Sequence, residues 1–186
     1  MTKVHLIKIE PMTEKAFKPY GELLDSYERP DNRRIISPKD FKSDGDTTVG
    51  VIWQPYQNLE FNEMERHFGV TQSFIQLSGS PAAVAVAPPT DPSNPYDVPM
   101  PEKVRAFLID PAKGFMLKKG TWHSLNRYVL SPPGATFIIL NSSPNPTQMI
   151  NYSEGVGKIY TDLDTDTSPS TIDYGNKFGF SFRLTL

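Results

Sequence analysis

The sequence predicts an all-β protein, a sandwich or barrel of many short strands with little helix. Three observations point there. Proline is the first: 18 of 186 residues, where an average usage of about 5% would give roughly 9. Proline is excluded from helix interiors and central strand positions, so this number demands many turns and loops. The second is a series of short apolar runs rich in Val, Ile and Phe, each closed by Gly or Pro. The third is strict alternation in several of these runs, the period of a strand rather than of a helix.

The elements follow in chain order. Met12 to Gly21 is the helix candidate, with Thr13 as N-cap, Glu14 in the first turn, and Pro19 and Gly21 ending it. One or two short helices near the N-terminus are expected, and nothing longer. Residues 25–48 are polar and without a period, and read as a long excursion. Val49 to Trp53 is a strand closed by Pro55. Glu63 to His67 alternates, and Gln72 to Leu77 follows across a turn at Gly69. Ala82 to Ala87 is continuously apolar, as suits a strand covered on both faces. Pro88 to Pro101 holds six prolines in fourteen residues and reads as an ordered loop. Val104–Ile109, Gly114–Lys118 and Thr136–Leu140 are further strands. In the tail Phe178, Phe180, Phe182, Leu184 and Leu186 share one face of a half-buried strand.

A chain of this length is expected to fold as one domain, residues 1–186, with residues 141–186 completing or flanking the barrel. Formal net charge is -2, from 19 basic and 21 acidic residues. That balance gives no reason to expect a nucleic-acid or membrane partner. Cysteine is absent, which excludes disulfides, thiolate nucleophiles and Cys-type zinc sites. The opening MTKVHLIKIEPM has no apolar core of a secretory signal, so a cytoplasmic location is expected.

Only three histidines are present, and two stand in informative places. Alternation puts Glu65 and His67 on one face of a strand, with Gln72 returning beside them across a turn. Further on, Lys118-Lys-Gly120-Thr-Trp-His123 reads as a tight turn into a strand that carries His123. These two stretches resemble the paired motifs of the cupin superfamily, His-x-His…Glu…Gly and Pro-x-Gly-x-x-His. Glu65 stands at the first His position, His67 at the second, Gln72 at the Glu and His123 at the last His. The resemblance narrows with Glu65-Arg-His67, Thr71-Gln-Ser-Phe74, Ala85-Val-Ala-Pro88, Arg105-Ala-Phe107 and Gly120-Thr-Trp-His123, in that order. Together they resemble the ureidoglycolate lyase (ureidoglycolate hydrolase) family, as does the opening Thr13 to Gly21. Two stretches depart from it. The family usually continues Trp-His-His-Pro where this chain has Ser124 and Leu125, and its upstream Asn-x-Gly-x-x-x-Arg has no counterpart here.

The resemblance implies a cupin-like antiparallel barrel of jelly-roll type, a homodimer, and cleavage of ureidoglycolate to urea and glyoxylate in allantoin and purine catabolism. Such a reaction needs a base for the hydroxyl proton, an acid for the departing nitrogen and a cation for the carboxylate. His123 can serve as acid or base, and Glu65 is the second candidate. Arg105 or Lys118 is expected to hold the carboxylate, and Trp122 to line the pocket. Arg66 points to the opposite strand face and is set aside. Glu65, His67, Gln72 and His123 can also form a mixed N/O site for a divalent Ni, Zn, Fe or Mn ion. No organic cofactor is expected.

Plainer readings exist for each residue. His67 alone is a strand histidine bonded to its neighbours, Glu65 with Arg66 a surface ion pair, Trp122 a core aromatic, Lys119 a solvated charge and His5 structural or exposed. Asp162, Asp164, Asp166 and Asp173 have calcium-loop spacing but lack its glycine and final Glu, and read as an acidic surface loop. Three other functions stay open: another cupin enzyme class, such as an isomerase or metal-dependent oxygenase; a non-catalytic binding cupin; and a structural dimer.

Overall fold

A computed structural model describes residues 3–186, about 48% of the chain as strand and 5% as helix. The strands are β1 (Lys3–Pro11), β2 (Gly21–Leu24), β3 (Asp46–Pro55), β4 (Glu60–Phe61), β5 (Glu63–His67), β6 (Ser73–Gly79), β7 (Ala82–Ala87) and β8 (Arg105–Ile109). They continue as β9 (Gly114–Leu117), β10 (Trp122–Ser124), β11 (Tyr128–Val129), β12 (Gly134–Ser143), β13 (Thr147–Asn151), β14 (Val156–Tyr160), β15 (Ser170–Asp173) and β16 (Phe180–Thr185). An eleven-stranded, strongly curled sheet runs β15-β14-β13-β5-β10-β7-β8-β1-β16-β4, with β11 paired to β7. A five-stranded sheet, β2-β9-β6-β12-β3, faces it. The architecture is that of a cupin-like β-barrel.

The helix candidate shrinks to one turn, α1 (Glu14–Phe17), whose Ala16 N–H donates to the Thr13 hydroxyl at 3.2 Å. The cap forms as the sequence predicts. Pro19 supplies no N–H to continue the helix, and Gly21 already opens β2. A second departure concerns direction. Most pairings are antiparallel, but β1 runs parallel to both β16 and β8.

The six residues of β7 are all buried, because alternate side chains enter two different cores. Ala82, Val84 and Val86 join Phe17, Phe74, Phe107, Phe115 and Phe137 between the two sheets. Ala83, Ala85 and Ala87 face a second core with Met64, Trp122, Tyr152 and Phe182. The tail fills this second core with Phe182 and Leu184, while Leu186 at its end is exposed. Small side chains in β7 let both layers approach it closely. The central sheet therefore has two buried faces, and the chemistry-bearing residues divide between them.

Candidate functional site

Strand β5 is paired on one side with β10 and on the other with β13, setting His123 opposite Glu65 and Thr147 opposite His67. Directly opposed residues in an antiparallel pair point to the same face. Glu65, His67 and His123 therefore project together into the space between the sheets. One ligand atom from each lies within 4.8 Å of the others. Glu65 Oε1 is 3.8 Å from His67 Nε2 and 3.8 Å from His123 Nδ1, and the imidazole centroids are 5.1 Å apart.

Hydrogen bonds settle which nitrogen of each imidazole carries the proton. The Thr147 hydroxyl donates its one hydrogen to the Asn145 carbonyl at 2.8 Å, so it can only accept from His67 Nδ1, also at 2.8 Å. The Asn145 carbonyl is held in turn by Leu163 N–H at 3.2 Å. His123 Nδ1 donates to the Ser124 carbonyl at 3.1 Å. Both Nε2 atoms are thus bare acceptors, and neither has a hydrogen-bond partner in the buried interior. A second-sphere bond of this kind is how proteins aim an imidazole lone pair at a ligand.

Gln72, Phe74 and Gln76 are the inward-facing residues at the start of β6 and along it, each buried. Gln72 donates its amide to Asn141 Oδ1 at 3.5 Å, and its Oε1 has no partner. Burial pushes the Glu65 carboxyl up to about 7, with Arg127 pulling weakly the other way. Burial pushes His67 down to about 3 and His123 well below its ordinary value, so both imidazoles are neutral at physiological pH. Two bare imidazole nitrogens and a carboxylate form a converging donor set, with no Lys or Arg among the described residues in ion-pair distance of Glu65. That set fits a divalent ion of borderline hardness.

The outer face of the same strands behaves differently. Arg66 points away from Glu65, so the surface ion pair does not form. Its guanidinium donates to Gln148 Oε1 at 2.9 and 2.6 Å and to Thr90 Oγ1 at 2.8 Å. It also stacks 4.5 Å above Trp122. Trp122 donates to the same Thr90 hydroxyl at 3.1 Å, so it packs behind the strand rather than lining the cluster, as alternation with His123 requires.

Both expected carboxylate clamps are engaged elsewhere, although Arg105 stands opposite Val86, itself opposite His123, and so shares the cluster's face of the sheet. Arg105 is bonded in two places to the Glu10 carboxylate, one contact at 2.9 Å, and lines a surface cleft of about 520 Å³ along β1. Lys118 is exposed and donates to the Lys18 carbonyl at 2.6 Å. Lys119 pairs with Asp44 at the surface. His5 packs edge-on to Phe182. Asp162 and Asp166 accept from backbone amides of their own loop and of Asn145, bracing turns rather than converging on a centre.

A cation missed in the sequence, Arg127, is buried near enough for its charge to act on Glu65, His67 and His123 alike. It is stacked 4.0 Å over Phe74, and its Nη1 has no partner. It sits in a turn with no spacing to either motif, and only the stack on Phe74 brings it inward.

The family model described as "Ureidoglycolate lyase" matches residues 37–156, which include every residue of the cluster. The chain belongs to the ureidoglycolate lyase family. The family match continues past His123, where the motif fragments stop, through β13 and its Thr147. Among curated proteins, the chain is 30% identical to a ureidoglycolate lyase of Rhodobacter capsulatus over 140 residues, 69% of this chain and 80% of that protein. It is 34% identical to one of Pseudomonas paraeruginosa over 131 residues, 63% of this chain and 73% of that protein. A Chelativorans sp. ureidoglycolate lyase is 32% identical over 137 residues, 67% and 76% of the two chains. No helix among the described residues is long and apolar enough to cross a membrane.

Proposed function

We propose that this chain cleaves ureidoglycolate to urea and glyoxylate, a step of allantoin and purine breakdown carried out in the cytoplasm. The observation that carries the reading is the convergence of Glu65, His67 and His123, both imidazoles with an unpartnered Nε2, in a member of this family.

The substrate is a carbinolamide whose central carbon bears a hydroxyl, a carboxylate and a urea nitrogen. In the reaction the C–OH bond becomes C=O, the C–N bond breaks, and one proton passes from the hydroxyl oxygen to the leaving nitrogen. Atoms and charge balance without any other reactant. A single group that takes a proton and returns it nearby is therefore sufficient. Glu65 fits that role, since burial brings its carboxyl to about 7 and both protonation states are accessible at neutral pH. His123, neutral and with a bare Nε2, orients the hydroxyl as an acceptor or takes its proton directly. Burial keeps bulk water from trapping the proton between the two steps.

His67, His123 and Gln72, with Glu65 beside them, would hold a divalent Ni, Zn, Fe or Mn ion. When bound, such an ion polarises the substrate hydroxyl and lowers its pKa. The Thr147 bond keeps the His67 ring aimed at the same space with or without it.

The test is a product balance on purified protein. Glyoxylate and urea should appear in equal amounts, with no ammonia and no oxygen consumed, and chelation with re-addition of single metals should show which ion restores the rate. Ammonia release would assign an amidohydrolase instead, and oxygen uptake an oxygenase.

The homodimer implied by the family is part of the same proposal. Val49, Val51 and Trp53 on edge strand β3 are 67%, 70% and 57% exposed, beside exposed Ile75 and Leu77 on the same sheet. An open apolar edge is where a second copy would pack across a twofold axis. Sedimentation of V51K should give a monomer where the parent protein gives a dimer.

A further inference from the structure

Arg127 is a buried cation with no acidic side chain within ion-pair distance among the described residues. Its Nη2 is held by the Leu125 carbonyl at 2.8 Å and its plane by the Phe74 ring at 4.0 Å. Those two contacts fix the guanidinium and leave Nη1 unpartnered in the interior. A buried N–H of a charged group without an acceptor is costly. Proteins retain one where a ligand supplies the acceptor. The other unpartnered buried atoms narrow the ligand further. The bare nitrogens of His67 and His123 and the Oε1 of Gln72 all accept, and so suit a hydroxyl or amide N–H. Among the unpartnered buried atoms of the described residues Arg127 Nη1 is the cationic donor and suits an anion. A small molecule bearing a carboxylate beside a hydroxyl and an amide matches this set of groups.

We propose that Arg127, through Nη1, binds the substrate carboxylate. This rests on the ureidoglycolate reading above and names the recognition group that Arg105 and Lys118 do not supply. The rigid seat matters as much as the charge. Held at two points, the guanidinium turns the substrate so that its hydroxyl meets Glu65 and His123. It also sets specificity, because a substrate lacking the carboxylate leaves the buried donor unpaired.

The experiment compares the parent protein, R127M and R127K on two substrates. One is ureidoglycolate; the other is N-(hydroxymethyl)urea, the same carbinolamide with hydrogen in place of the carboxylate, which would yield formaldehyde and urea. For R127M, kcat/KM on ureidoglycolate should fall about 100-fold, the scale of losing one buried charge pairing, while cleavage of N-(hydroxymethyl)urea changes by about threefold or less. R127K should recover part of the loss. Thermal protection by oxamate should vanish in R127M, while any protection by its neutral analogue oxamide is unchanged. Equal loss on both substrates would overturn the proposal, since Arg127 would then only balance Glu65. Oxamate protection that survives in R127M would also overturn it. Should R127M not fold, the guanidinium 13C spectrum of the parent protein decides: the Arg127 resonance, assigned by its loss in R127K, must shift with oxamate, and a fixed resonance refutes the assignment. If the parent protein releases no glyoxylate yet binds oxamate through Arg127, the reaction is wrong and the carboxylate seat stands. If it releases glyoxylate at a rate indifferent to Arg127, the reaction stands and the carboxylate seat is wrong.

Discussion

The two sides of strands β5 and β10 both bury polar groups and treat them in opposite ways. Behind the sheet, Arg66, Gln148, Thr90 and Trp122 form a closed network in which the guanidinium is bonded to Gln148 and Thr90 and stacked on Trp122. Gln148 passes the network on to the Tyr174 hydroxyl at 3.0 Å and the Pro95 carbonyl at 2.9 Å. That network fastens the proline-rich loop to the sheet. In front, His67 Nε2, His123 Nε2, Gln72 Oε1, Gln76 Oε1 and Arg127 Nη1 are buried and unpartnered, as is Asn145 Oδ1 just before β13. Buried polar groups are nearly always satisfied, so orphans gathered at one place mark a binding site, and a satisfied network marks architecture. The difference between the faces separates function from stability one residue apart in sequence, Glu65 from Arg66 and Trp122 from His123.

Substitutions can break that separation. The largest effect is expected from E65Q, which keeps the shape and removes the proton carrier. Turnover should fall about 1,000-fold, within the usual range for a general acid–base group, with glyoxylate release as the readout. The reciprocal change behind the sheet is R66M. It should cost about 3 kcal/mol of stability by denaturant titration, because Gln148 Oε1 loses its buried donor and Thr90 is left with Trp122 alone as a donor. Soluble R66M should retain most of its kcat.

T147V tests the link between faces and neighbours. It removes the acceptor for His67 Nδ1–H, and activity or metal affinity should drop about 10- to 100-fold with little loss of fold. The pH dependence of chelator-treated protein sharpens the same point. Glu65 has a folded-state pKa of about 7 against 4.5 unfolded, so it holds its proton more tightly when folded. Its contribution is complete below about pH 4.5 and is lost as pH rises through about 7. E65Q should therefore match the parent protein at low pH and exceed it by about 3 kcal/mol above pH 8, read from thermal melts. Removing the catalytic group would stabilise the protein, as expected where function tolerates a buried charge. The smallest effect belongs to the surface pair. E10Q should cost at most about 0.5 kcal/mol and leave turnover unchanged, since Arg105 and Glu10 are both partly exposed.

Much of the barrel was legible because its strands carry local signals. Period two in Glu63–His67 and the unbroken run Ala82–Ala87 correspond to β5 and β7 at the same residues. The resemblance of Glu65, His67 and His123 to the paired motifs reads their convergence correctly, although the β5–β10 pairing that creates it is long-range. What stayed hidden depends on distant partners. β1 pairs with β16 across almost the whole chain, and no local pattern announces a parallel pairing of termini. Arg105 reads as a free cation until Glu10, 95 residues away, is beside it. Arg127 reads as a turn residue until Phe74 lies under it. Thr147 and Asn145 sit in the segment past the motifs, yet they orient His67. A side chain's chemistry can be read from sequence; whether its partner is protein or ligand is a tertiary fact.

The measurement that bears most directly on the unpartnered cluster as the reaction centre is H123A, assayed for glyoxylate release alongside its thermal unfolding. Turnover should fall about 1,000-fold or more while the melting temperature stays within a few degrees of the parent protein. Turnover within tenfold of the parent protein, in folded H123A, would contradict the assignment and move the chemistry elsewhere in the barrel.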